Sequence, residues 1–590
     1  MMDTEKVLGR HLLRLILRFI ERVAATDDLL VVLVPDDPLS LVLLEHFYGD
    51  LFVHWEVPSK LVTFVFGYSR VQYTSATLCV NHRFLIHAPF MARFYKYKTP
   101  DDLRDDARRL GGEIALSDDF SVLFQPVRIG PLTAGNRLAV QPMEGCDGTP
   151  DGHPDELTYR RYHRFGAGGA KIIWGEATAI AEVGRMNPRQ LWINEQTAPS
   201  LERMLNECRA AHRESLGSDD DLIIGLQLTH SGRFSYRNAL IATHDPLLDP
   251  LTVDKSTGKR VDASYPLLTD DDLKRIEDQY VIAAKLAQRC GFQFVDIKQC
   301  HRYLLSELLA AKNRPGDYGG SLENRTRLVR NVVKRIREDV PGLVIATRMN
   351  AYDGIPYRAD CGLRNADCGL SEDARPGNSI RNPQSEIRNP VGRPCPHELP
   401  LVTAFGTNPH NHLEEDLVEP LQVVRWLREW GVPLINISCG NPYANPHVVR
   451  PAEHPPVDGY DAPEHPLLGV LRHFRIARRI QAEVPDVPVV GSAYSWLQDF
   501  AMHAAAGNVA AGHVAIVGVG RATLSHPDFA KTLQEEGRLS RKRVCRTFSY
   551  CTNLMRSKDH PLGQYPTGCP PFDKDVYQPL WKEAEAKRRP

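Results

Sequence analysis

The chain has 590 residues, 42% of them apolar and 25% charged, with a formal net charge of −1. This is the composition of a folded globular protein, with length for two to four domains or for one large domain with additions. Near-neutral charge excludes a global field toward nucleic acid or a membrane, and twelve scattered cysteines are too dilute for a disulfide scaffold, so free thiols in a reducing, cytoplasmic setting are expected.

At the N-terminus, Leu12, Leu15, Ile16, Phe19, Ile20 and Val23 recur at helical spacing, with Arg10, Arg14, Arg18 and Glu21 between them. No apolar run reaches the roughly 18 residues of a membrane span, and the charges spoil a signal-peptide core. An amphipathic helix packing on its own protein is expected, with a membrane-surface helix as the alternative. Residues 1–118 read as a small α+β domain to which no chemistry can be assigned. Its strands are "LLVVLV" and "KLVTFVFGYSRVQYTSATLCVNHRFLIHA", and "KTPDDLRDDARRLG" is a helical connector.

From about residue 120, eight β-rich runs alternate with amphipathic helical stretches. The runs cover 137–144, 170–177, 222–230, 294–300, 343–351, 434–440, 487–493 and 513–520. Gly or Pro separates helix from strand in "RCGFQF", "DVPGLV" and "EVPDVPVV". Eight strand–helix units predict a closed (β/α)8 TIM barrel over 119–535, with 536–590 as a tail packing on it. A doubly wound open sheet competes, but no Gly-rich dinucleotide fingerprint follows the first strand. Residues 359–396 repeat "ADCGL" and "IRNP" and are rich in Pro, Asn and Arg. Such sequence buries little apolar surface, so a disordered insertion is expected, either neutral or acting as a lid after strand five.

Polar residues gather at the ends of these runs, where barrel chemistry sits. Glu144 and Cys146 follow strand one, Glu176 ends strand two, and Gln227 and His230 end strand three. Strand four is the most crowded: "FVDIKQCHRYLLSELL" brings Lys298, His301 and Tyr303 within six residues. Arg348 and Asn350 end strand five, and Asn436, Ser438 and Asn441 strand six.

Five segments in order carry a resemblance. "NRLAVQPM", "GLQLTHSGR", "RYLLSELLAAKNRPGDYGGSLENRTR", "ATRMNAYDG" and "GVGRATLSHPDF" resemble the old yellow enzyme family of FMN-dependent ene-reductases, over about 122–535. The longest and most specific piece is "YGGSLENR" after "YLL". The resemblance implies FMN as cofactor and NADH or NADPH as electron donor. It implies that Gln227 and Arg348 meet the pyrimidine edge, Arg348 stabilising the anionic reduced ring. Pro142, Met143, Glu144 and Ala177 would surround that ring. Gly491, Ser492, Gly518 and Gly520 would let backbone approach the phosphate, with Arg521 forking onto it.

It also implies that His301 and Lys298 hold a substrate carbonyl oxygen while Tyr303 protonates the neighbouring carbon. Lys298 departs from the family pattern, which has His there. An ammonium can serve, less directionally, and suits an anionic enolate or acidic substrate; otherwise it turns away into an ion pair. Glu144 departs as well, since an ionised carboxylate there opposes flavin reduction unless it is paired, turned away or protonated. His230, Asn441 and Tyr443 would shape the substrate pocket. Larger relatives such as dienoyl-CoA reductases carry a four-cysteine cluster site after the barrel. Here Cys545, Cys551 and Cys569 remain and Phe548 stands where a ligand would be, which argues against a 4Fe-4S cluster, and no other metal site is expected.

The resulting expectation is an NAD(P)H-dependent flavin oxidoreductase reducing the C=C bond of a small enone, with no nucleic-acid or membrane partner and with homo-oligomerisation left open. The alternatives are a flavin dehydrogenase oxidising an amine or alcohol, or a non-catalytic flavin-binding protein.

Overall fold

A computed structural model describes residues 93–359, 390–457 and 459–588, together with the backbone of four strands between 31 and 67. Those four, Val31–Val32, Val42–Phe47, Asp50–Val57 and Lys60–Gly67, form an antiparallel sheet in sequence order. The N-terminal helix and the segments expected as strands beyond Gly67 lie outside the described residues. The chain divides into two compact units, Met1–Pro89 and Phe90–Pro590. Residues 93–118 thus belong with the second unit. Phe94 and Tyr95 donate their backbone N–H groups to Glu453, and the Tyr95 hydroxyl donates to the Leu497 carbonyl at 2.8 Å.

The second unit is a closed barrel of eight parallel strands. They are β1 (Leu138–Val140), β2 (Ile172–Ala179), β3 (Ile223–Thr229), β4 (Phe294–Ile297), β5 (Val344–Tyr352), β6 (Leu434–Cys439), β7 (Val489–Gly491) and β8 (Ile516–Val519). Each of the eight predicted runs overlaps one of them, with β2 extending past its run to Ala179 and β5 past its run to Tyr352. The helices that follow are α1 (Glu156–Gly166), α2 (Ala198–Leu216), α3 (Asp270–Arg289), α4 (Arg327–Asp339), α5 (Val418–Glu429), α6 (Pro466–Glu483), α7 (Ala501–Ala510) and α8 (Phe529–Glu536). In α3 the local signals are clear. Thr269 caps the N-terminus by accepting from the Asp272 N–H, and Leu273, Ile276, Tyr280, Ala284 and Ala287 make one buried face.

Strand alternation splits the core in two. Ile173 and Val295 pack outward with the helices. Ile172, Trp174, Ile223, Phe294, Val344, Leu434, Val490 and Ile516 fill the barrel. Trp174 and Phe294 meet edge to face at 4.9 Å, and the Phe294 ring occupies the space a side chain at Gly225 would need. The hairpin Val127–Ile129/Leu132–Ala134 packs into this inner cluster. With each large apolar side chain contributing about 1.5–3 kcal/mol on burial, one end of the barrel is an apolar plug. The polar strand ends lie at the other.

Of the insertion expected over 359–396, residues 360–389 lie outside the described residues. Its last part is ordered, contrary to expectation: Arg393 and Pro394 pair with Arg358 and Tyr357, and Gly392 donates to the Asp461 carbonyl. Residues beyond 540 lie against the barrel. Asp573 accepts from Arg160 and Arg164 at 2.7 and 2.6 Å, and the Thr567 N–H donates to the Gly145 carbonyl.

Candidate active site

The chain leaves β4 through a constrained turn. His301 and Arg302 both adopt left-handed backbone, with φ of 67° and 60°. For non-glycine residues this costs on the order of 1–3 kcal/mol each, so neighbouring structure must hold it. Asn350 accepts from the His301 N–H at 3.2 Å, and Asn441 donates to the His301 carbonyl at 3.0 Å. The Arg302 side chain turns inward to a pair of buried acids, Asp245 and Asp353, and also donates to the Thr403 carbonyl. That anchor leaves Lys298, His301 and Tyr303 on the mouth side.

There they converge. The Lys298 ammonium sits 3.7 Å above the centre of the Tyr303 ring, and the His301 ring meets Tyr303 edge-on at 6.4 Å. The Tyr303 and Tyr443 hydroxyls are hydrogen-bonded at 3.1 Å, and Phe234 packs against both rings. His301 Nε2 lies 3.3 Å from the Ser438 hydroxyl. Among the described residues Lys298 forms no ion pair, so the alternative that it turns away is not what is seen.

Burial dominates the electrostatics. It lowers the Lys298 pKa, with Arg348 adding to the effect and Glu144 opposing it. Burial, then Arg348 and Lys298, hold His301 well below the usual imidazole range, so it is neutral at physiological pH. Burial and the neighbouring Tyr443 and Glu144 push the Tyr303 phenol well up, so it keeps its proton. Burial lifts Glu144 to about 7, against the pull of Lys298 and of the hydrogen bond from Asn187.

The residues expected around a flavin divide. Arg348 has a buried Nε without a partner and, among the described residues, makes no ion pair. Arg521 donates from Nη2 to the Pro451 carbonyl at 2.7 Å, while its buried Nη1 has no partner. Gly520 is open: a side chain there would first meet Gln141 and the Met143 sulfur, each at 3.8 Å. Gly491 and Gly518 are closely packed, since a Cβ would fall 2.9 Å from Val514 and 1.9 Å from Gln141. The Ser492 hydroxyl is taken up inside the barrel, donating to the Ile437 carbonyl and accepting from Gln141. Gln227 donates to Asp296, which also accepts from the Trp174 indole and the Arg348 N–H. Pro142 is buried and Met143 partly so, just past β1, and the Ala177 carbonyl accepts from Gln190 beside an irregularity in β2.

Two expected pocket residues have other work. Asn441 spends its amide on the His301 carbonyl and on the N–H groups of Tyr443 and Ala444, so it positions the turn. His230 accepts from the Gly232 N–H, packs on Gly184, and is lowered to about 4 by burial. Ser438 was marked as a polar strand end, whereas Phe234, Asn187 and the acids that hold Arg302 were not foreseen. In the tail, Cys545 and Cys551 lie close enough to Cys569 to raise its pKa, after burial. Among the described residues no group of three His, Cys, Asp or Glu side chains is placed to hold a metal ion.

The protein is a closed (β/α)8 barrel with a lysine, a histidine and a tyrosine at one strand end and unmatched guanidinium nitrogens at two others, on the face where such barrels carry their sites. Residues 122–361 match the NADH:flavin oxidoreductase / NADH oxidase family. It is 30% identical over 255 residues to an NADH:flavin oxidoreductase of Gibberella zeae, covering 40% of this chain and 58% of that one. To an NADPH dehydrogenase of Listeria innocua it is 27% identical over 240 residues, covering 40% and 65%. The match thus spans less than two thirds of each of these relatives. A structure of 2-naphthoyl-CoA reductase with 2-naphthoyl-CoA shares the fold at a TM-score of 0.52 and 15% identity, over 78% of this chain and 58% of that one. Among the described residues no helix is long and apolar enough to cross a membrane.

Proposed function

We propose that the protein is an FMN-dependent oxidoreductase that takes electrons from NADH or NADPH and reduces the C=C bond of an α,β-unsaturated carbonyl compound. The observation that carries this reading is the convergence of Lys298, His301 and Tyr303 in the mouth, beside the unmatched guanidinium of Arg348. The donor set suits a flavin nucleotide. Arg348 offers a fixed cation for a reduced ring, and Arg521 with the open backbone at Gly520 suits its phosphate. Bound there, FMN supplies hydride exchange between a reduced nicotinamide and an activated alkene.

The chain's own residues supply the rest. Neutral His301 and the Lys298 ammonium donate to the carbonyl oxygen, where negative charge develops; such donors contribute about 3–4 kcal/mol each in comparable sites. Tyr303, protonated across the physiological range, gives its proton to the α-carbon. Phe234, packed against both tyrosine rings, gives that side of the pocket an apolar wall.

Anaerobic titration of the purified yellow protein tests this. NADH or NADPH is expected to bleach the flavin band, and an enone such as cyclohexenone to restore it. Bleaching by an amine or alcohol with no response to reduced nicotinamide would favour a dehydrogenase. A colourless protein that takes up no FMN would end the reading.

A further inference from the structure

One cation at the mouth has no part in the chemistry above. Arg450 follows the β6 loop, and its Nη1 donates to the Thr552 hydroxyl of the tail at 3.1 Å. Its Nη2 is buried and has no partner. The next residue, Pro451, accepts at its carbonyl from Arg521 Nη2, so the two arginines are tied together through one residue of backbone. The buried Nη1 of Arg521 is unpartnered too. Among the described residues neither arginine forms a salt bridge.

Several other buried arginines close on carboxylates. Arg161 closes on Asp147 and Glu176, Arg233 on Asp249 and Glu307, Arg302 on Asp245 and Asp353, and Arg472 on Glu464. Arg450 has the cations Arg556 and Arg521 beside it instead. Its pKa is pulled to about 9, by burial first and then by Arg556 and Arg521. Two tethered guanidinium groups, each with a buried N–H aimed at no acceptor, form half of an oxyanion site.

We propose that Arg450 is a second phosphate-binding residue, completing with Arg521 a two-guanidinium fork for the terminal phosphate of the flavin nucleotide. This rests on the FMN reading above. A phosphate dianion carries acceptors for both unpartnered nitrogens and neutralises both cations, which a single arginine from the β8 loop cannot do. Because Thr552 steadies Arg450, the tail also takes part in cofactor retention.

The experiment compares FMN with riboflavin, which lacks the phosphate, by fluorescence titration of the full-length apoprotein in wild type, Arg450→Met and Arg450→Lys. For Arg450→Met, FMN is expected to bind about 10- to 100-fold more weakly and riboflavin within about 2-fold of wild type. The lysine variant should fall between. Unchanged FMN affinity, or equal losses for both ligands in a variant whose thermal melt matches wild type, would overturn the proposal. So would a raised KM for an acidic enone with an intact FMN-to-riboflavin ratio, which would give Arg450 to the substrate. Failure of wild type to bind either ligand would instead bring down the flavin reading itself, and the fork with it.

Discussion

Glu144 keeps its proton to about pH 7 because burial penalises its charge more than Lys298 and Asn187 stabilise it. Its ordinary value is 4.5, so between pH 4.5 and 7 the folded chain holds a proton that the unfolded chain has released. Stability therefore falls as pH rises through that window, by at most about 1.4 kcal/mol per pH unit, and levels off above it. Glu144→Gln has no such proton to lose. Urea melts from pH 5 to 8 should show wild type losing stability relative to the variant up to pH 7 and running parallel above; parallel curves throughout would mean that Glu144 titrates normally. Tyr303 makes the complementary case. On the proposed reading, Tyr303→Phe removes the proton donor to the α-carbon while leaving the rest of the mouth, so enone turnover should fall by about 10²- to 10⁴-fold. Flavin reduction by NAD(P)H, followed by stopped-flow absorbance, should stay within a few-fold.

The turn after β4 shows how one element serves the site through residues that never touch substrate. Its left-handed backbone is held from both sides, by Asn350 at the His301 N–H and by Asn441 at the carbonyl. Asn441→Ala frees that carbonyl and the backbone of Tyr443 together. Since small misplacements of catalytic groups are costly, enone turnover should drop about 10- to 100-fold while FMN affinity barely changes; a parallel loss of FMN binding would show that the loop supports the cofactor instead. The eight strands were legible because buried parallel strands are continuous β-branched runs, and "VIATRMNAY" or "LINISC" can hardly be anything else. Lys298, His301 and Tyr303 were legible because they share one strand end. The acids that clamp Arg302 were not: Asp245 comes from a separate loop, and Asp353, although it lies in "ATRMNAYDG" at the end of β5, carries nothing that ties it to Arg302 in sequence. Gly491 and Gly518 show a related limit: sequence marks the missing side chain but not that Val514 and Gln141 lie where a Cβ would fall.

For the second compact unit as a whole, the tail is part of the mouth. Its Thr567 N–H donates to Gly145, next to Glu144, its Thr552 holds Arg450, and its own small core of Leu554, Tyr565, Tyr577 and Ala584 is pinned to α1 through Asp573. That carboxylate is buried, while Arg160 and Arg164 are about one third exposed, at 35% and 32%. Coulomb attraction is therefore only partly screened, and the clasp is worth more than a surface pair. Asp573→Ala leaves two cations side by side with nothing between them, and the variant should lose about 1–2 kcal/mol in urea denaturation. Limited proteolysis should cut near residue 540 sooner in the variant, and bound FMN should be lost at the same rate as the tail, because Arg450 loses its support when Thr552 departs. Adding Arg164→Ala to the variant should restore part of the loss by removing the repulsion. A tail that is cleaved sooner while flavin fluorescence stays quenched would separate the tail from cofactor retention and confine its role to stability.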